Sequence, residues 1–108
     1  MALWDQKCVP INSGTPPLTD RTIHTLLLEI PKWSLKGNTI LREFLFNDFR
    51  EAIDFVNSAV NIINEQDHHP DIYVSYNKVQ LIFTTHRIKS LSLNDFIVAA
   101  KIDRMIGH

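Results

Sequence analysis

The chain has one cysteine in 108 residues, Cys8, so no intrachain disulfide can form and a reducing compartment suits it. With only three glycines it has no glycine-rich loop of the kind that cradles phosphates, and it contains no G-x-S-x-G elbow. No cysteine stands near a histidine to act as a nucleophile, so covalent catalysis is not indicated. Neither charge sign is in excess, with 11 Lys and Arg against 12 Asp and Glu, and this leaves no broad positive field for a phosphate backbone. No stretch approaches the ~18 consecutive apolar residues of a membrane span. The start, Met1-Ala2-Leu3-Trp4-Asp5, lacks the basic and apolar regions of a signal peptide and the Arg-rich pattern of a transit peptide. A cytoplasmic location is the expectation, with a nuclear pool left open. No internal repeat or low-complexity segment is visible. What the chain does have is 44% hydrophobic side chains, enough for one core that buries about two-thirds of the unfolded surface.

Residues 1–18 contain Pro10, Gly14, Pro16 and Pro17 with no sustained periodicity, and they read as a flexible arm or a strap across the surface. A single folded domain is expected over 19–108. Thr19 or Asp20 caps a first helix with Ile23, Leu26, Leu27 and Ile30 at helical spacing, and Pro31 ends it. Two strand-like runs, Trp33 to Leu35 and Thr39 to Phe46, flank Gly37-Asn38. Phe49, Ala52, Ile53, Val56, Ala59, Val60 and Ile63 then form an apolar stripe that predicts a helix over about 48–65. Ile72 to Tyr76 and Val79 to Thr85, joined through Asn77-Lys78, predict a second hairpin. Ser92 with Asp95 three residues on predicts a capping box and a third helix packed through Phe96, Ala99, Ala100 and Met105. The order α-β-β-α-β-β-α implies an α+β fold, a four-stranded antiparallel sheet with three helices on one face. Its other face is only partly polar, which suggests subunit pairing.

Chemistry concentrates in His68, His69 and His86, three of five histidines within 19 residues. Imidazole exchanges protons near neutral pH, which suits general acid–base work. Two alternatives stand beside that reading: a solvated turn before Pro70, and a zinc site with three nitrogen donors. The residue before a proline is held extended, which tends to turn neighbouring side chains apart and speaks against shared metal ligation. Asp95 serves equally as a capping residue, and Trp33 as core or as the wall of a pocket.

The spacing Asp67-His68-His69-Pro70, five residues to Tyr76, nine more to His86 and eight more to Asp95, resembles the signature of the pterin-4a-carbinolamine dehydratases, also called dimerization cofactors of a homeodomain transcription factor. Further resemblances are Trp33, Phe44-Leu45-Phe46-Asn47-Asp48-Phe49 with Ala52 and Phe55, Tyr76-Asn77-Lys78-Val79 and Thr84-Thr85-His86, over about residues 19–106. One departure is Asn64, where the family usually carries a charged residue four before the first motif histidine. Glu65 follows one place later, about 100° around the helix.

The resemblance implies removal of water from 4a-hydroxytetrahydropterin to give quinonoid dihydropterin, the recycling step for tetrahydrobiopterin. It implies His68, His69 and His86 as the acid–base set, and Asp67, Pro70, Thr84, Thr85 and Arg87 beside them as pterin-binding residues. Asp95, Trp33 and Glu65 are expected as a supporting layer. No metal and no cofactor are expected, since pterin is the substrate. A homotetramer built as a dimer of dimers is expected, with an aromatic amino-acid hydroxylase or a transcription factor as further partner, and no direct nucleic-acid or membrane binding. The alternative is a non-catalytic module acting as a dimerization cofactor or transcriptional coactivator.

Overall fold

The structure, a computed structural model, describes residues 1–107, so His108, the last residue of the expected domain, lies outside the described residues. Three helices and one sheet follow in the expected order: α1 (Asp20–Leu27), β1 (Ser34–Lys36), β2 (Thr39–Leu45), α2 (Phe49–Gln66), β3 (Asp71–Ser75), β4 (Lys78–Phe83) and α3 (Leu93–Met105). The sheet is antiparallel throughout in the order β1-β2-β4-β3. Each hairpin supplies one central and one edge strand, so the two pairs meet through β2 and β4.

Local chemistry sets the element ends. Thr19 Oγ1 accepts from the Thr22 backbone N–H at the start of α1. That helix stops at Leu27, earlier than Pro31 alone suggests, and residues 28–30 continue as turns in which each N–H bonds three residues back. A residue preceding proline avoids the helical region, so the chain unwinds before it reaches Pro31. Asp48 Oδ1 accepts from Glu51 N–H at 2.9 Å and Glu51 Oε1 accepts from Asn47 N–H at 3.1 Å, which fixes the start of α2. The second hairpin turns at Tyr76-Asn77, one residue before the expected Asn77-Lys78, with Tyr76 at φ 49°.

The register places Ile40, Phe44, Val79, Leu81 and Phe83 on one face, and all five are buried. Against them α2 sets Ala52, Phe55, Ala59 and Ile63. The stripe is thus displaced slightly from the expected one: Phe49 is exposed, while Ile53, Val56 and Val60 flank the core half-buried. Helix α3 is buried almost all round from Asn94 to Ala100, although Met105, expected to pack, is exposed.

The first 18 residues form a strap. Leu3, within a 3₁₀ turn at Leu3–Asp5, is 1% exposed and joins the core, and Lys101 Nζ donates to the Trp4 carbonyl while Arg104 stacks over the Trp4 ring. Of the two readings of this segment, flexible arm or strap, the structure has the strap: it is anchored along α3, which explains why α3 needs two apolar sides. A stretch as short as Met1-Ala2-Leu3-Trp4, followed by no recurring apolar positions, carries no periodic signal, so the burial of Leu3 had no signature in the chain.

Candidate active site

Helix α2 ends with Asp67 in the left-handed region at φ 53°. The Asp67 N–H donates to the Asn64 carbonyl and the His68 N–H to the Ile63 carbonyl, the paired bonds of a Schellman ending. This abrupt exit throws His68 and His69 off the helix axis. The second contribution comes from the end of β4, where Thr85 and Ser90 exchange backbone hydrogen bonds and pinch out a 3₁₀ turn at His86–Ile88. The β1–β2 turn props that loop, because Thr84 Oγ1 donates to the Asn38 carbonyl at 2.6 Å and Asn38 Nδ2 to the Lys89 carbonyl.

These two chain segments bring seven of the expected residues together: Asp67, His68, His69, Thr84, Thr85, His86 and Arg87 line one cavity of about 420 Å³. Such a volume falls in the range of small-molecule sites. His69, His86 and Arg87 are exposed to solvent, whereas only 12% of the His68 side chain is.

Behind the cavity stands Asp95, wholly buried. Its Oδ1 is 2.6 Å from His68 Nε2, and its Oδ2 accepts from Thr85 Oγ1 at 2.7 Å and from the Ser92 backbone N–H at 2.9 Å. Capping and histidine support, which the sequence posed as rival roles, are thus filled by one carboxylate. Thr85 has a single hydroxyl proton and gives it to Asp95, so Ser92 Oγ, 2.7 Å away, donates to Thr85 Oγ1. Every partner of Asp95 is a donor, so His68 carries a proton on Nε2 and donates it to Asp95. Phe83 stacks nearly parallel on the His68 ring at 6.0 Å between centroids.

Three expected residues stand away from the cavity. Pro70 is half-buried and leads into β3 without lining it. Trp33 is core: its Nε1 donates to Asp103, and its ring packs on Phe44 and on Phe83, so it reaches His68 only through Phe83. Glu65 faces a separate depression with Trp4, Ile62, Gln66 and Lys101, because one residue along α2 turns the side chain by about 100°. Asn64 itself takes the supporting position, with Oδ1 3.3 Å from His69 Nε2.

Four residues had escaped sequence reasoning. Val9, Pro10 and Ile11 of the strap and Asn94 of α3 complete the lining. Nothing in a proline-containing arm far from the histidines marks it as cavity wall. Among the described residues no group of three His, Cys, Asp or Glu side chains is arranged to hold a metal ion, and no helix is long and apolar enough to cross a membrane.

An antiparallel α+β domain with three histidines around one cavity, one of them held by a buried carboxylate, defines a site equipped for proton transfer. Residues 16–105 match the family model described as pterin 4 alpha carbinolamine dehydratase. The chain is 44% identical over 103 residues to a protein of Nitrosospira multiformis, covering 95% of this chain and 91% of that one. It is 38% identical over 107 residues to one of Halorhodospira halophila, covering 97% and 98%; both are provisionally named pterin-4-alpha-carbinolamine dehydratase. Among solved structures, the transcriptional coactivator/pterin dehydratase from Brucella melitensis superposes with a TM-score of 0.78 at 28% identity, covering 83% of this chain and 98% of that one. The chain belongs to the pterin-4-alpha-carbinolamine dehydratase family, whose members are hydro-lyases.

Proposed function

We propose that the protein dehydrates 4a-hydroxytetrahydropterin to quinonoid dihydropterin, serving tetrahydrobiopterin recycling by histidine acid–base catalysis. The observation that carries this reading is the convergence of His68, His69 and His86 on one cavity, with His68 anchored by buried Asp95. In the reaction the C4a–oxygen bond breaks and the hydroxyl leaves as water after taking a proton. A pterin ring nitrogen gives up its proton, and the carbon–nitrogen double bond forms. Water and one proton balance without any external reductant or oxidant, so the protein needs only a donor and an acceptor.

His68 suits the acceptor, since the Asp95 carboxylate that fixes its Nε2–H also stabilises the imidazolium formed when Nδ1 takes a proton. His69 and His86, exposed at the cavity, suit proton delivery to the leaving hydroxyl. Asp67 and Arg87 offer an acceptor and a donor to the pterin's polar edge. Thr84 contributes little through its hydroxyl, which is spent on the Asn38 carbonyl. No resident metal or cofactor enters this scheme.

The test is the decay of freshly generated 4a-hydroxytetrahydropterin, followed by ultraviolet absorbance with and without protein. Acceleration is expected, and His86→Ala should lower turnover by about 10²-fold, the scale of a lost general acid or base. Near-normal turnover in that variant would remove His86 from catalysis. A second reading, a protein-binding module, draws on the description of the Brucella relative as a coactivator. Folded protein that gives no acceleration favours that reading.

A further inference from the structure

The strap passes directly over the histidine site, and it is tied there by neighbours of the site residues in sequence. Gln66, which precedes Asp67, accepts from the Cys8 N–H through Oε1 at 2.8 Å. Asn94, which precedes Asp95, reads both backbone groups of Val9: Oδ1 accepts from its N–H at 3.1 Å and Nδ2 donates to its carbonyl at 2.7 Å. Asn94 is buried, and all this side chain's hydrogen bonding is directed at the strap. Any displacement of the strap relative to the histidines therefore has to break bonds made from the same two chain segments that hold Asp67, His68 and Asp95.

Those bonds also decide what the strap presents to the cavity. The N–H of Cys8 and both polar groups of Val9 are consumed, and Pro10 has no N–H to offer. Beyond backbone carbonyls and the Ile11 N–H, what remains is hydrocarbon from Val9, Pro10 and Ile11, lining the same cavity as the histidines, Asp67 and Arg87. Val9 is 61% exposed, an apolar side chain left mostly uncovered by the rest of the protein. A cavity lined partly by hydrocarbon and partly by hydrogen-bonding groups suits a flat heteroaromatic ring, with its face on the hydrocarbon and its polar edge on the donors and acceptors.

We propose that Val9 and Ile11 are substrate-binding residues, forming with Pro10 an apolar wall against which the pterin ring lies, and that Asn94 is the positioning residue holding this wall over the histidines. The inference rests on the dehydratase reading and extends the site to residues 9–11, upstream of the matched family span of 16–105. The wall contacts ground state and transition state alike, so its loss acts on binding and leaves the proton-transfer step in place.

The experiment compares wild type, Val9→Ala/Ile11→Ala and Asn94→Ala in the 4a-hydroxytetrahydropterin decay assay and in binding of the stable probe 7,8-dihydrobiopterin by fluorescence titration. Removing the apolar contact is expected to raise KM and the dihydrobiopterin Kd by about 10-fold while kcat changes less than about threefold. Asn94→Ala should move both in the same direction, and Val9→Leu/Ile11→Leu should restore them to within about twofold. If the double alanine variant fails to fold, Val9→Ala alone, at an exposed side chain, carries the test. Unchanged KM and Kd in the alanine variants, beside an active wild type, overturn the wall and leave the dehydratase standing. A fall in kcat with KM unchanged overturns it as well. A wild type that neither accelerates decay nor binds dihydrobiopterin overturns both readings together.

Discussion

Asp67 shows how a single residue can be placed against its own preference. It ends α2 in the left-handed region, where a Cβ is unfavourable and glycine is usual, and it is part of the cavity lining. Strain tolerated at such a position fits a functional demand on the side chain. Asp67→Gly is expected to raise unfolding free energy by up to about 1 kcal/mol in urea titrations while lowering turnover, a stability gain joined to an activity loss. Asp95 makes the complementary point. One carboxylate closes the helix start and orients His68, so the histidine cannot be reoriented without loosening α3.

Helix α3 is the element on which the fold depends. Its buried Asp103 accepts from Trp33 Nε1 at 2.9 Å and pairs with Arg42 at 2.6 Å, the guanidinium lying over the Phe44 ring. The pair is mostly withdrawn from water, with 11% and 7% of the two side chains exposed, so Asp103→Ala leaves a guanidinium and an indole N–H without their acceptor. A loss of about 3–5 kcal/mol is expected in urea unfolding, with the usual scale of a broken buried ion pair.

The strap covering α3 has its own titration. Burial pushes the Cys8 thiol from 9.0 up to about 11, assisted by Asp95 and opposed by Lys101. The native state thus holds the thiol proton more tightly than the unfolded chain does. Its contribution to stability is full below pH 9 and is lost as pH rises toward 11. Urea midpoints measured across that window should fall more steeply for wild type than for Cys8→Ser. Parallel curves would show that the thiol does not titrate in this way.

At the scale of the whole molecule, the sheet face away from the helices carries Leu41, Leu45, Tyr73 and Ile82 among polar residues, and Tyr73 is 58% exposed. A monomer gains nothing from these side chains in water, whereas a second copy would cover them. The expected assembly is a homotetramer, checked by sedimentation at micromolar concentration. A single monomeric species there contradicts it, and Tyr73→Lys should shift the distribution toward smaller species if this face takes part.

The order of elements was legible in the chain because it rests on local signals: apolar stripes at helical spacing, the Gly37-Asn38 turn, and capping by Thr19, Asp48 and Asp95. The histidines stood out in the chain by their clustering, Asp67, Thr84 and Thr85 only through the resemblance to the family's motif, and the structure places these residues around one cavity. What remained hidden depends on contacts between residues distant in sequence. Trp33 and Glu65 were expected to support the site, but Trp33 packs into the core with its Nε1 on Asp103, and the pitch of α2 turns Glu65 away while bringing Asn64 to His69. Leu3 and Val9 meet α3 across some 85 to 95 positions, through burial and a pair of amide hydrogen bonds that no local pattern announces. Sequence by itself determined the elements and the chemistry of the site, since propensity, capping and side-chain identity are local properties. Only the tertiary structure decided which surfaces close that site, because closure is a matter of long-range packing.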